Sequence, residues 1–288
     1  MRQRISCVLL SAALLVSGSI ACAQTSAPTT KPAATKPVLP PMTAEQKAVV
    51  AAKSNFPTDE PAPKYDLAAY KPDGTPNPDF GKENAGFIAA HERFLKRREQ
   101  PMGVLFLGDS ITAGWSGRGK KVWTDHYDKL EAANFGIGGD RTEHVLWRIA
   151  NGELDGIKPK VVVLMIGTNN SGNTAENITK GVKAIVNQIH AKLPDSKLLL
   201  LGIFPRGAAA VGKDGKPEAG RAKLQAVNAE LAKLDDGKQT RYLEIWKQFL
   251  NEDGTLSPDI MPDYLHPNEK GYTIWADTMQ PLLDEMLK

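Results

Sequence analysis

The chain has 288 residues, 41% of them hydrophobic and 24% charged, enough for one well-filled core with segments to spare. Its formal charge of +3 falls to +1 without Arg2 and Arg4, so composition gives no footing for a nucleic-acid partner. Both cysteines, Cys7 and Cys22, lie in the first 23 residues, so a chain trimmed there has no disulfide, no thiol nucleophile and no cysteine ligand for zinc.

In chain order, a basic start (Arg2, Arg4), a mostly apolar Val8 to Val16 and the small-residue site Ala21-Cys22-Ala23 predict an export signal over 1–23. The apolar run is too short for a stable membrane span, so the expected location is periplasmic or secreted. The alternative is a lipoprotein anchored through Cys22, from the loose fit of Ser19-Ile20-Ala21-Cys22, and only that route implies a membrane partner. Residues 24–42, rich in Pro, Ala, Thr and Lys, read as a tether. An N-terminal extension follows over 43–84. It is expected to hold a short helix from Thr43 to Phe56, then an extended segment laid over the domain surface from Pro57 to Asn84.

From residue 85 to 288 the pattern is that of one domain. Phe87 to Arg98 is helical, with Phe87, His91, Phe94 and Leu95 on one stripe; His91 there is expected to be packed and hydrogen-bonded. Strands are predicted at 103–108, 132–135, 161–166, 198–204 and 242–245. Between them, Asp140-Arg-Thr-Glu143 reads as a capping box, and Asn173-Thr-Ala-Glu176 caps a helix with the stripe Ile178, Val182, Ile185, Ile189, Leu193. His190 falls beside that stripe and is expected to be exposed. A helix over 217–234 turns Leu224, Val227, Leu231 and Leu234 inward. The last helix starts near Pro267, and Pro281 is expected to kink or divide it. Five alternations of strand and helix predict an α/β fold, a parallel sheet with helices on both faces.

Polar or glycine-rich segments end three of these strands: Gly108-Asp109-Ser110, Gly136-Ile-Gly138-Gly139 and Gly167-Thr-Asn169-Asn170. A fourth, Asp263-Tyr-Leu-His266, precedes the last helix. Open α/β sheets bind ligands at that edge. Ser110 is a candidate nucleophile if a histidine takes its proton, and His266 with Asp263 three residues away is the candidate base with its orienting carboxylate. The backbone N–H groups of Ser110 and Gly139 and the amide of Asn169 are candidate donors to a developing oxyanion. Each piece has a plain reading too: Ser110 as a helix N-cap, Asp263 and His266 as loop residues, Asn169 and Asn170 as turn residues, the glycines as a hinge. Asp109 reads as a turn or helix-start carboxylate. Trp115, near the serine, is a candidate to limit acyl length or stack on a sugar ring, with simple packing as the alternative. His91, His126, His144, His190 and His266 show no metal-ligand spacing, so no metal is expected. His126 and His144 read as surface or packing residues.

Taken together, Gly108-Asp109-Ser110, Gly139, Gly167-x-Asn169 and Asp263-x-x-His266 resemble the four blocks of the SGNH (GDSL-type) hydrolase family. Asn134-Phe-Gly-Ile-Gly-Gly-Asp-Arg-Thr142, His144-Val-Leu-Trp-Arg148, Asn151-Gly-Glu-Leu154 and Pro205-Arg-Gly207 resemble its platelet-activating-factor acetylhydrolase branch. The likeness runs from about residue 85 to the C-terminus. It implies a flavodoxin-like three-layer α/β/α sandwich around a five-stranded parallel sheet, with no cofactor. It also assigns Ser110, His266 and Asp263 as nucleophile, base and orienting acid, and Ser110, Gly139 and Asn169 as the oxyanion hole. Asn170 stands where the broad family often has aspartate, and Ile111 replaces the leucine of the G-D-S-L motif. A homodimer is compatible with the resemblance.

The expected function is therefore a serine esterase acting on short acyl groups, acetyl by resemblance, of a small-molecule or glycan ester. Two alternatives stand beside it. A lysophospholipase or thioesterase would need an apolar groove, and the polar, glycine-rich loop from Arg206 to Glu218 speaks against one. A silent carbohydrate-binding module would have no need of the intact Ser110, Asp263 and His266.

Overall fold

The computed structural model describes residues 58–62, 82–208 and 218–288. The expected export signal, tether and Thr43–Phe56 helix lie outside those residues, as do most of the extended segment and residues 209–217 of the Arg206–Glu218 loop.

The strands are β1 (Val104–Gly108), β2 (Ala133–Gly136), β3 (Val161–Met165), β4 (Lys197–Leu201) and β5 (Thr240–Leu243). They form one sheet in the order β2-β1-β3-β4-β5, and every neighbouring pair is parallel. The helices are α1 (Lys82–Arg97), α2 (Ser110–Ala113), α3 (Lys120–His126), α4 (Thr142–Ala150), α5 (Ala175–Lys192), α6 (Ala219–Leu231) and α7 (Glu269–Leu287). Because strand side chains alternate between faces, each central strand feeds two cores. Leu105, Leu107, Val162 and Leu164 pack with the inward stripes of α4, α5 and α6. Val104, Phe106, Val161, Val163 and Met165 pack on the other face with Trp115, Tyr272, Trp275 and Met279. This is the flavodoxin-like three-layer sandwich. Burying one such Leu, Val or Phe side chain stabilises the fold by about 1.5–3 kcal/mol.

Several local expectations need correction. Helix α4 does not start on an Asp140–Glu143 box: its cap position is Arg141, whose N–H donates to Nδ1 of His144 at 3.0 Å. The Asp140 carboxylate is drawn instead to Arg148, at 3.0 Å. Helix α5 is capped by Thr174, one residue after Asn173, with its hydroxyl accepting from the N–H of Asn177. His190 is half-buried rather than exposed, and its Nε2 lies 2.8 Å from the Thr240 hydroxyl. Strand β4 leaves the ladder at Leu201 although Ile203 and Phe204 stay buried, because the Asn228 side chain bonds both the N–H and the C=O of Ile203, at 2.8 and 2.9 Å. Helix α7 runs unbroken through Pro281.

Candidate active site

The first loop is built by close contact. Strand β1 ends at Gly108, where an added Cβ would stand 2.3 Å from the Met165 carbonyl oxygen and 2.3 Å from Oγ1 of Thr112. Glycine alone lets the chain turn there. Asp109, fully buried, caps α2 by accepting the N–H of Ile111 on Oδ1 at 2.9 Å. That is the helix-start role expected of it, and it leaves the Ser110 hydroxyl free of the cap. Ser110 is the first residue of α2 and is half-buried.

The Ser110 hydroxyl lies 2.9 Å from Nε2 of His266, and Nδ1 of His266 lies 2.8 Å from Oδ2 of Asp263. The other carboxylate oxygen, Oδ1, accepts the backbone N–H groups of His266 at 2.7 Å and Leu265 at 3.2 Å. Burial pushes the Asp263 carboxyl up. The N–H and imidazole of His266 and the N–H of Leu265 outweigh that and hold it down at about 2. The turn needs a left-handed residue, Tyr264 with φ 56°, a conformation that costs a side-chain-bearing residue about 1–3 kcal/mol. Its carbonyl accepts the Gly207 N–H at 2.9 Å, and its N–H donates to Met261 at 2.8 Å. Helix α7 then carries Tyr272, whose hydroxyl donates to the Ile111 carbonyl at 2.6 Å. This bond ties the helix bearing Ser110 to the helix that follows His266.

Gly139 has φ 72°, so this loop position also favours glycine. The Asn169 amide donates one proton to the Asp140 carbonyl at 2.9 Å, which fixes its plane and leaves the second N–H for a ligand. The four blocks read from the sequence thus meet at one edge of the sheet. Trp115 does not join them. Its ring has no exposed surface and sits among Tyr272, Trp275 and Tyr127, with centroids 4.5, 4.9 and 5.3 Å away. The sugar-stacking and acyl-limiting roles for Trp115 give way to packing.

Sequence reasoning missed a buried ionic cluster beneath these loops. Arg148 has no exposed surface and pairs with Asp140 at 3.0 Å and with Glu153. It also donates to the carbonyls of Phe135 at 3.2 Å and Gly108 at 3.3 Å, the last joining it to the loop of Ser110. Burial opposes its charge, but Glu153 and Asp140 outweigh burial and hold the guanidinium above its ordinary value. His91 is packed and bonded as expected, between Glu153 at 3.3 Å and the Asn151 carbonyl at 3.2 Å. Arg148 between Leu146 and Ile149, at inward spacing from Val145, was the available signal. Arg118 was missed as well: it lies 3.8 Å from the Asp263 carboxylate and donates to the His266 carbonyl at 3.5 Å.

Residues 106–274 match the model of the GDSL-like lipase/acylhydrolase family. The human platelet-activating factor acetylhydrolase IB subunit alpha1 is 38% identical over 203 residues, covering 70% of this chain and 84% of that protein. The mouse alpha2 subunit is 38% identical over 205 residues, covering 70% and 85%. Among solved structures, a GDSL-like lipase from Bacteroides thetaiotaomicron superposes with a TM-score of 0.54 at 19% identity, over 68% of this chain and 97% of that one.

Proposed function

This chain belongs to the GDSL-like lipase/acylhydrolase family and is a carboxylic ester hydrolase, and from that premise we propose that it removes short acyl groups, acetyl above all, from small-molecule or glycan esters. The observation that carries the reading is the continuous hydrogen-bonded line from Ser110 Oγ through His266 to Asp263.

In this reading Ser110 Oγ attacks the ester carbonyl carbon as its proton passes to Nε2 of His266. Asp263 keeps the imidazole in the tautomer that accepts at Nε2 and stabilises the imidazolium that forms. The carbonyl oxygen becomes an oxyanion facing the N–H groups of Ser110 and Gly139 and the free N–H of Asn169. His266 returns the proton to the leaving alkoxide, the C–O bond breaks, and an acyl-serine remains. Water, deprotonated by the same histidine, then releases the carboxylic acid and restores Ser110.

The acetyl preference is supported by the name of the acetylhydrolase relatives. The export signal read at residues 1–23 directs the proposal to an ester outside the cytoplasm.

The test is turnover of nitrophenyl acetate, butyrate and octanoate by wild type and Ser110→Ala. Ser110-dependent rates falling with chain length support the proposal. Octanoate turned over as fast as acetate would replace the short-acyl reading with a lipid one.

A further inference from the structure

Part of the N-terminal extension reaches the scaffold of the site, although the family match begins only at residue 106. Thr58 has no exposed surface and Ala62 is buried. The Thr58 carbonyl accepts the Thr142 hydroxyl at 3.0 Å, the Thr58 hydroxyl donates to the Asn177 carbonyl, and the Ala62 N–H donates to the Glu143 carbonyl at 3.0 Å. These bonds seat the segment across the first turns of α4 and α5. Gly181 of α5 lies directly under the crossing, where an added Cβ would stand 2.4 Å from the Thr58 carbonyl oxygen. The helix is bare at the one place where the segment needs it to be.

On its far side, Thr142 faces the oxyanion loops. Its N–H donates to Oδ1 of Asn170 at 3.1 Å. The Asn170 amide donates to the Thr142 hydroxyl oxygen at 3.3 Å and to the Glu143 carboxylate at 3.0 Å. Asn170 follows Asn169, and Asn169 is held by the carbonyl of Asp140, the residue after Gly139. Two hydrogen-bonded steps therefore separate Thr58 from the loop that carries Asn169.

We propose that residues 58–62 are a positioning segment for the oxyanion donors, so that the extension is a working part of the esterase; this rests on the oxyanion role given above to Gly139 and Asn169. The Thr142 hydroxyl has one proton and two acceptors in reach, the Thr58 carbonyl at 3.0 Å and the Glu143 carboxylate at 3.3 Å. With Thr58 seated, the proton points to its carbonyl and a lone pair faces the Asn170 amide. With the segment unseated and that carbonyl withdrawn, the hydroxyl turns to Glu143 and competes there with Asn170. The Asn170 clamp then loosens, and the neighbouring Asn169 loses its fixed direction. The segment makes no bond to Ser110 or His266 among the described contacts, so its loss acts on oxyanion geometry and leaves the proton relay in place.

The test uses the full chain with Thr58→Ala, which keeps the carbonyl but removes the hydroxyl that seats the segment on Asn177, Thr58→Ser, which keeps both, and Ala62→Pro, which removes the N–H that anchors to Glu143. The readouts are kcat and KM on nitrophenyl acetate, the rate at which a nitrophenyl phosphonate modifies Ser110, melting temperature, and hydrogen exchange at 139–142 and 168–170. Thr58→Ala and Ala62→Pro should lower kcat about 5- to 20-fold with KM within about twofold, since misplaced donors act on the transition state. Phosphonylation should slow in step, exchange should quicken in both loops, and Thr58→Ser should restore wild-type behaviour. Unchanged kcat and phosphonylation with a lowered melting temperature would reduce the segment to a stabilising clip and overturn the proposal, as would unchanged exchange in both loops. A wild type that turned over no ester would strike the reading of the site instead, while the exchange rates would still decide whether the segment holds these loops.

Discussion

Asp263 and Asp140 each hold a nitrogen base at one edge of the same sheet, at 2.8 and 3.0 Å, in opposite surroundings. The Asp263 side chain is 46% exposed, and Arg118 beside it is 54% exposed. Asp140, Arg148 and Glu153 have no exposed surface. The difference fits what each assembly does. In the proposed mechanism His266 passes protons to a substrate and must be reached by it, so it lies open on a short turn with the Asp263 that orients it. A group that holds the base of the loops does so best where water cannot compete, so Arg148 gathers two carboxylates and two strand-end carbonyls in the interior. In the proposed mechanism the outer assembly performs the chemistry, and the inner one holds the strand ends from which its loops spring.

The sharpest way to break this division is at the outer assembly. Ser110→Ala or His266→Ala should lower kcat by about 10⁶-fold, since each removes a group the others cannot replace. Melting temperature should stay near wild type. A variant of either kind that kept wild-type esterase turnover would end the assignment. Asp263→Asn should cost about 10⁴-fold, because its amide N–H facing Nδ1 turns the imidazole to the wrong tautomer. The pH dependence has a definite sign. The folded Asp263 carboxyl sits at about 2, below its ordinary 3.8, so its contribution to stability is present above 3.8 and is lost as pH falls through about 2. Urea melts of wild type and Asp263→Asn should therefore converge on acidification through that window. Curves separated equally at all pH values would show that the carboxylate is not held low.

The inner assembly should fail differently. Arg148→Met removes the guanidinium shared by Asp140 and Glu153 and should cost about 3–5 kcal/mol of stability, read as a shift in denaturation midpoint. Adding Asp140→Asn and Glu153→Gln should recover part of the loss, since two buried carboxylates that have lost their shared guanidinium are its main source. Arg148→Lys should not rescue it, because one ammonium cannot span two carboxylates and two carbonyls. If Arg148→Met unfolded like wild type, the buried cluster would not be a scaffold.

The same contrast marks what was legible in the sequence. Ser110 and the pair Asp263 and His266 are local motifs at strand and helix ends, so spacing and resemblance could place them. Arg148 was not legible as a hub, because its partners Gly108 and Phe135 come from two other strands and only the folded sheet brings them together. That contact also spoiled a local reading: Asp140-x-x-Glu143 has capping-box spacing, but Arg148 draws the Asp140 carboxylate inward and His144 caps the helix. Strand β5 was displaced for a similar reason. The strand was expected at Tyr242 to Ile245, yet Glu244 turns to accept the Trp246 N–H at 2.9 Å, and pairing with β4 sets the strand at Thr240–Leu243. Trp115 was ambiguous from sequence because an aromatic near a serine serves a pocket or a core equally well.

Arg118 tests whether exposure, more than proximity, separates the two assemblies. It is a cation beside the Asp263 carboxylate, as Arg148 is beside Asp140, but at 3.8 Å and in solvent. An exposed pair of this kind contributes about 0–1 kcal/mol, because water screens the attraction and the long side chain loses freedom when held. Arg118→Gln should therefore change kcat/KM by no more than about fivefold, and the difference should shrink as salt is raised to about 0.5 M. Asp263 would keep the two backbone N–H groups and the imidazole that hold it low. A loss of about 30-fold or more, insensitive to salt, would mean that Arg118 orients the Asp263–His266 pair during turnover. The outer assembly would then share the inner one's dependence on a fixed cation.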